Sequence, residues 1–504
     1  MVRVRFAPSP TGNLHIGTLR TALFNWLYAK ANGGVFVLRI EDTDRNRSDV
    51  AYEKSILAGL DWLGITIDEG PDLGEYGPYR QSERQEKGIY QLYLDRLLEQ
   101  GFAYPCFCSQ AELDEERGRA KRQSVPYIYS GKCSRLTESD RSEKLGSGCA
   151  HTVRFKMPRN EQLVFTDLIR GQIRFDCDLF SDFVLMKSDG SPSFNFACVV
   201  DDALMQISHV IRGEDHLSNM PNQLSLFNAL GMSAPQYAHM PMILGADRSK
   251  LSKRHGATNV VQYKEDGYLP DAFLNYLSLL GWSSPDGKEL MLVDEIISKF
   301  SLERLSKSGA IFDLKKLTWM TGQYIRQCSP SELYEKVRPF LSDQDLRLLE
   351  ENGAERAKEM VFSVRDNLDV LKDISAYLQV YLESENEYQD RLKTCQFKLE
   401  EGAVVRYFLS LISELDSLDE VQIHQCLERV VCDKGLNKGK VFRPLRLAFS
   451  AERSGPHIDQ LLSLFGKEKL MSRAAFFFSY LESNNASVLE LDDSVGNPKK
   501  EGIR

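Results

Sequence analysis

The chain has 504 residues, 42% hydrophobic and 27% charged, with 63 lysines and arginines against 72 aspartates and glutamates, for a net charge of −9. Such a length exceeds one ordinary core and predicts several domains. The absence of a long apolar run excludes a bilayer span, the acidic balance excludes indiscriminate nucleic-acid binding, and an opening on a strand pattern without a leader predicts a cytoplasmic protein.

Val2, Val4 and Phe6 alternate with Arg3 and Arg5 as a short strand does, and Leu19, Ala22, Leu23, Trp26 and Leu27 recur at helical spacing. The Pro/Gly turn between them places His15 and the amides of residues 15–18 at a helix N-terminus, where orphan N–H groups and the helix dipole favour an anion. A histidine that merely caps the helix is the plain alternative. Gly33-Gly34 reads as a helix stop, and residues 35–40 form a second strand that ends on Glu41 and Asp42. This is a βαβ unit with its ligand crevice at the carboxyl ends of the strands. Its spacing is not Gly-x-Gly-x-x-Gly, so hydride transfer loses support.

From residue 91 to 191 the pattern becomes mixed. Most of the ten cysteines are irregularly spaced, as reduced thiols are, but Cys106 and Cys108, with Tyr129 and Cys133 further on, have the spacing of a tetrahedral zinc site on loops. Three thiols without a metal are the alternative. Residues 194–202 read as a return to the sheet, followed by an apolar strand at 207–211 that ends in Arg212-Gly213-Glu214-Asp215-His216. Residues 245–256 concentrate cations between two glycines, as a movable loop or a solvated one would. Beyond them the chain turns helical: 269–280 is apolar at helical spacing and stops at Gly281, and 330–483 reads as successive amphipathic helices, Leu461, Leu462, Phe465, Leu470 and Phe477 marking an apolar stripe. Lys434, Lys438, Lys440, Arg443 and Arg446 form a candidate RNA-facing patch or a solvated helix face. The polar segment from 484 predicts a disordered tail.

His15-Ile16-Gly17-Thr18 resembles the HIGH motif of class I aminoacyl-tRNA synthetases, in the form with threonine last that is typical of glutamyl-tRNA synthetases. Residues 39–45 and 77–84 are similar to further blocks of that family. Lys250-Leu251-Ser252-Lys253-Arg254 resembles the partner KMSKS signature, with leucine for methionine and arginine for the final serine. A helical C-terminal half is similar to the bacterial glutamyl type; glutaminyl relatives carry β-barrels there, and truncated paralogues lack it. The resemblance implies an α/β fold: a Rossmann-like parallel-sheet catalytic domain (1–90 and 192–256), an acceptor-end-binding insertion (91–191), a stem-contact domain (257–329) in which Thr321 replaces the usual asparagine, and an all-α anticodon-binding domain (330–483).

It further implies ATP-dependent ligation of L-glutamate to tRNA(Glu) through a glutamyl-adenylate by a monomer, with Mg²⁺ carried on ATP. The catalytic residues implied are His15, Gly17, Thr18, Lys250 and Lys253, point-charge lysines on a closing loop stabilising the departing pyrophosphate. ATP would meet Pro8, Ser9, Thr11, Gly12, His15, Gly17, Thr18, Leu251, Ser252 and Lys253. Glutamate would meet Arg5, Ala7, Ser9, Glu41, Phe194, Cys198 and Arg212, with Arg47 nearby; Arg5 and Arg212 read the side-chain carboxylate and Glu41 the amine. Phe194 stands where the family has tyrosine, and Cys198 at a position often polar. Cys106, Cys108, Tyr129 and Cys133 match the zinc variant that uses tyrosine, Arg135 standing where the other variant has histidine. Three alternatives stay open: an enzyme that also charges tRNA(Gln), a nucleotidyltransferase making a small-molecule adenylate, and a non-catalytic RNA-binding paralogue.

Overall fold

The computed structural model describes residues 1–44, 47–252, 254, 259–415 and 417–493. The strands among them are β1 (Arg3–Phe6), β2 (Val35–Leu38), β3 (Ala103–Cys106), β4 (Thr152–Phe155), β5 (Gln162–Asp167), β6 (Gly171–Asp176), β7 (Val184–Met186), β8 (His209–Gly213), β9 (Gln236–Met240), β10 (Ile243–Leu244) and β11 (Ala310–Ile311). By contacts the chain divides into two units, one of Met1–Glu265 with Pro270–Leu317, the other of Asp266–Leu269 with Thr318–Arg504.

In the first unit a six-stranded sheet runs β2-β1-β8-β9-β5-β6. Its first four strands are parallel, and the helix Ile16–Ala31 follows β1 and leads to β2. β1 is buried along its whole length, both arginines included, so the expected alternation is absent. A central parallel strand faces covering layers on both sides, and Arg3 and Arg5 enter the interior because each finds a carboxylate there, half-buried Glu69 for Arg3 and buried Asp202 for Arg5. Gly34 does more than stop a helix: an added Cβ would lie 2.5 Å from the carbonyl oxygen of Val2, so only glycine lets β2 pair here.

The region 91–191 is not a separate body. β3, β4 and β7 form an antiparallel sheet of their own, but the β5–β6 hairpin joins the main sheet where Asp167 pairs with Tyr237 of β9. Residues 194–202, read above as strand, are the helix Phe194–Leu204. Phe196, Ala197, Val199 and Val200 pack there against Tyr90, Leu94 and Leu97 and against Leu226 and Leu230. A short run of bulky apolar residues buried all round has the same signature in a helix as in a strand, which explains the misreading.

The second unit is helical, and the described residues after Ile311 hold no strand. The final helical stretch, Ile458–Asp493, is broken at Gly466, which has a φ of 73°, and runs into the segment expected to be a disordered tail. No glycine or proline interrupts the stretch after Gly466, and the first strong breakers are Gly496 and Pro498. Among the described residues no helix is long and apolar enough to cross a membrane.

Candidate active site

The carboxyl ends of β1 and β8, the start of the Ile16–Ala31 helix and the loop after β10 enclose a cleft of about 490 Å³. At its floor His15 caps the helix: the Gly17 amide donates to Nδ1 at 3.1 Å. Burial, and then Lys250, lower the pKa of His15, so the ring is neutral near pH 7. With Nδ1 accepting, the ring proton sits on Nε2. Capping and anion binding are therefore compatible: one nitrogen orders the helix start and the other remains as a donor beside the orphan amides.

The cleft wall continues into a buried set of charges. Asp202 takes Arg5 Nε at 3.1 Å and Arg39 at 2.6 Å, and Glu41 takes Arg39 at 3.0 Å. Although burial opposes it, Arg39 and Arg5 hold the Asp202 carboxyl at about 2. Among the described residues Arg212, on β8, has no acidic partner: it donates to His239 Nε2 at 3.1 Å and to Gln223 at 2.8 Å, the nitrogen on Gln223 also lying 3.1 Å from Met220 Sδ, and its other terminal nitrogen is buried with no partner among them. Glu41 and Asp202 are matched by Arg39 and Arg5, and Asp201 is shared by Arg39 and Arg84, which leaves Arg212, its pKa lowered by burial, as the guanidinium of this set with no carboxylate against it. A substrate carboxylate would meet Arg212; a neutral amide in its place would leave a buried guanidinium unmet.

Among the residues singled out in the sequence, Arg5, Ala7, Pro8, Ser9, His15, Gly17, Thr18, Glu41, Phe194, Arg212, Lys250 and Leu251 all line this cleft. Phe194, exposed, packs against His216 with ring centres 5.5 Å apart and planes tilted by 37°. Cys198 is not on the wall but behind it, fully buried, its Sγ 3.5 Å from Asp202 and 3.7 Å from Arg39. Thr11, Gly12 and Ser252 are not among the lining residues either, and Arg47 pairs with Asp44 on an exposed turn. Lys253 lies outside the described residues. The loop is a tight turn: Gly245 donates to Ser249 at 2.8 Å and Leu251 to Ile243 at 3.0 Å, with Leu251 buried, so exposed Lys250 is presented to the cleft 3.9 Å from Asp215.

Elsewhere in this unit the sulfurs of Cys106, Cys108 and Cys133 lie within 4.8 Å of one another. Tyr129 Oη is 3.4 Å from Cys106 and 3.2 Å from Cys108, and the sulfurs of Cys108 and Cys133 are 3.6 Å apart, close to the edge of a zinc–thiolate tetrahedron. Arg154 donates to Cys106 at 3.2 Å. In the second unit the basic patch is less than the sequence promised: Lys438 pairs with Glu428 at 2.6 Å, and Arg446 turns inward to the carbonyl of Pro456.

Sequence reading missed Arg39, Asp202, His239 and Asp167 as parts of the site. A cation following four apolar strand residues and a double aspartate ending an apolar run were the available signals.

Residues 1–319 match the catalytic domain of class I tRNA synthetases (E and Q), and residues 332–476 an anticodon-binding domain. The chain belongs to the class I glutamyl/glutaminyl tRNA synthetase family. It is 43% identical to a glutamate–tRNA ligase of Carboxydothermus hydrogenoformans, over 95% of this chain and 100% of that one. It is likewise 43% identical to one from Natranaerobius thermophilus, over 95% and 99%. A crystal structure of a glutamate tRNA ligase from Elizabethkingia meningosepticum in complex with its amino acid superposes with a TM-score of 0.84 at 34% identity, covering 95% of this chain and 99% of that one.

Proposed function

We propose that the protein ligates L-glutamate to the 3′ end of tRNA(Glu), first forming glutamyl-adenylate from ATP and then transferring the glutamyl group. The observation that carries the amino-acid choice is Arg212, buried at the cleft wall with only neutral acceptors among the described residues and with one unmet N–H. Arg5 and Arg212 receive the side-chain carboxylate, and Glu41 the ammonium.

In the first step an oxygen of the substrate α-carboxylate attacks the α-phosphorus of ATP; that O–P bond forms, the bond to the bridging oxygen breaks, and pyrophosphate leaves with the electron pair. His15 Nε2–H and the helix amides stabilise the phosphate oxygens, and Lys250, joined by Lys253, meets the charge growing on pyrophosphate. Mg²⁺ enters on ATP and neutralises phosphate charge. In the second step a ribose hydroxyl oxygen of the terminal tRNA nucleotide attacks the activated carbonyl; the new C–O ester bond forms, the C–O bond to the phosphate breaks, and AMP departs with the electron pair, the hydroxyl proton passing through its phosphate to solvent. Region 91–191 grips the acceptor end, 257–329 the stem and 330–483 the anticodon. Cys106, Cys108, Cys133 and Tyr129 hold a structural zinc, their donor set and 3.6 Å sulfur spacing fitting that ion. The enzyme acts as a monomer in the cytoplasm.

The test is exchange of labelled pyrophosphate into ATP, with glutamate or glutamine and with or without tRNA. Exchange that needs glutamate and tRNA together supports the assignment. Exchange without RNA indicates a free adenylate-forming enzyme, and no exchange a non-catalytic paralogue.

A further inference from the structure

Arg212 is held by neighbours that can only be neutral acceptors, and one of them is itself held. His239, on β9 and fully buried, takes Arg212 Nε on its Nε2 at 3.1 Å while its Nδ1 lies 2.7 Å from Asp167 Oδ2. A guanidinium has no lone pair to offer, so His239 Nε2 must be unprotonated and the ring proton must sit on Nδ1, donated to Asp167. Asp167 is fixed in turn by the amides of Ile169 and Arg170, each at 2.9 Å, in the turn of the β5–β6 hairpin. Arg170 of that turn also bonds the His239 carbonyl at 3.2 Å and pairs with Glu214.

We propose that His239 is a positioning residue for amino-acid recognition: with its tautomer set by Asp167, it aims the Arg212 guanidinium at the substrate side-chain carboxylate without neutralising it. A carboxylate at position 239 would hold Arg212 as firmly but cancel the charge that selects glutamate over glutamine. An apolar residue would leave the charge and lose the aim. Gln223 and Met220 cannot supply the aim, because both engage the same terminal nitrogen and leave rotation of the guanidinium about that point open. The proposal rests on the reading of Arg212 as a side-chain reader given above, and the experiment separates the two.

Full-length wild type, Arg212→Ala, His239→Leu, His239→Gln and His239→Asn are compared by tRNA-dependent pyrophosphate exchange, with KM for glutamate and for ATP, kcat, and the glutamate-to-glutamine preference measured for each. A glutamine oxygen reaches the place of imidazole Nε2 and an asparagine oxygen does not. His239→Leu and His239→Asn are expected to raise glutamate KM about tenfold, with ATP KM within about twofold, and to narrow the preference over glutamine; His239→Gln should recover most of the affinity. Arg212→Ala without effect on glutamate KM would overturn the pocket assignment, and the positioning role with it. Arg212→Ala raising glutamate KM while the Leu and Asn variants match wild type would overturn the positioning role alone. So would Gln and Asn variants that behave alike, a comparison that stands even if His239→Leu does not fold.

Discussion

An added methyl at Gly17 would meet only His15 Nδ1, at 3.5 Å, an ordinary contact that the fold can accept. The requirement for glycine there therefore belongs to the ligand, which must approach the helix start closely. Gly17→Ala should leave the melting temperature unchanged or slightly raised, alanine being favoured in helices by ~1 kcal/mol, while kcat/KM falls by about a hundredfold. Equal loss of stability and activity in calorimetry and exchange assays would show the reverse. Arg5 makes a different case, because its removal leaves Asp202 with Arg39 at 2.6 Å, so no buried carboxylate is orphaned. Arg5→Ala should fold, bind ATP and fail to activate glutamate; isothermal titration with ATP checks the first part and glutamate-dependent exchange the second.

At the level of elements, the turn at 245–251 presents Lys250 from a loop held by backbone bonds and by buried Leu251. Its ammonium is exposed and only loosely engaged by Asp215, as suits a group whose main contact forms with the transition state. Lys250→Ala should lower kcat by about a hundredfold and leave glutamate KM within about twofold; a raised KM at normal kcat would move the lysine into ground-state binding. The cysteine cluster makes a second prediction at this scale: purified protein should carry zinc stoichiometrically and Cys108→Ala should lose it, as metal analysis will report. What could be read in advance at this level were features carried by consecutive residues, such as the Pro/Gly turn with His15 and the cation loop with Lys250. Arg212 was visible as a strand-end arginine, but its partners come from β9, from the helix Met220–Leu230 and from a hairpin far upstream, and no local pattern joins them. The helix Phe194–Leu204 was hidden for another reason: burial on all sides erases the polar face that would have displayed a 3.6-residue period.

For the molecule as a whole, four histidines of the first unit, His15, His209, His216 and His239, have pKa values lowered by burial, His216 to about 4. Above pH 6.5 folded and unfolded chains are both deprotonated at these sites. As pH falls below 6.5 the unfolded chain takes up protons that the folded chain refuses, so stability drops, by ~1.4 kcal/mol for each tenfold difference in proton affinity. For His216 the loss runs from 6.5 to about 4 and then levels off. Calorimetry should show the melting temperature falling between pH 7 and 5, before most carboxylates titrate, with a shallower fall in His216→Asn; a flat profile over that range would contradict the burial argument.

The β5–β6 hairpin bears on how sequences of this kind can be recombined. Two strands of the main sheet and the carboxylate behind His239 are encoded within residues 91–191, between β2 and β8 of the same sheet. A chimaera that took residues 91–191 from a relative would import one half of the Asp167–His239 contact and keep the other, with two sheet edges that had never been fitted to each other. The heritable module thus does not end at residue 191: it reaches from β5 through β9, and crossovers inside it should be the rare ones.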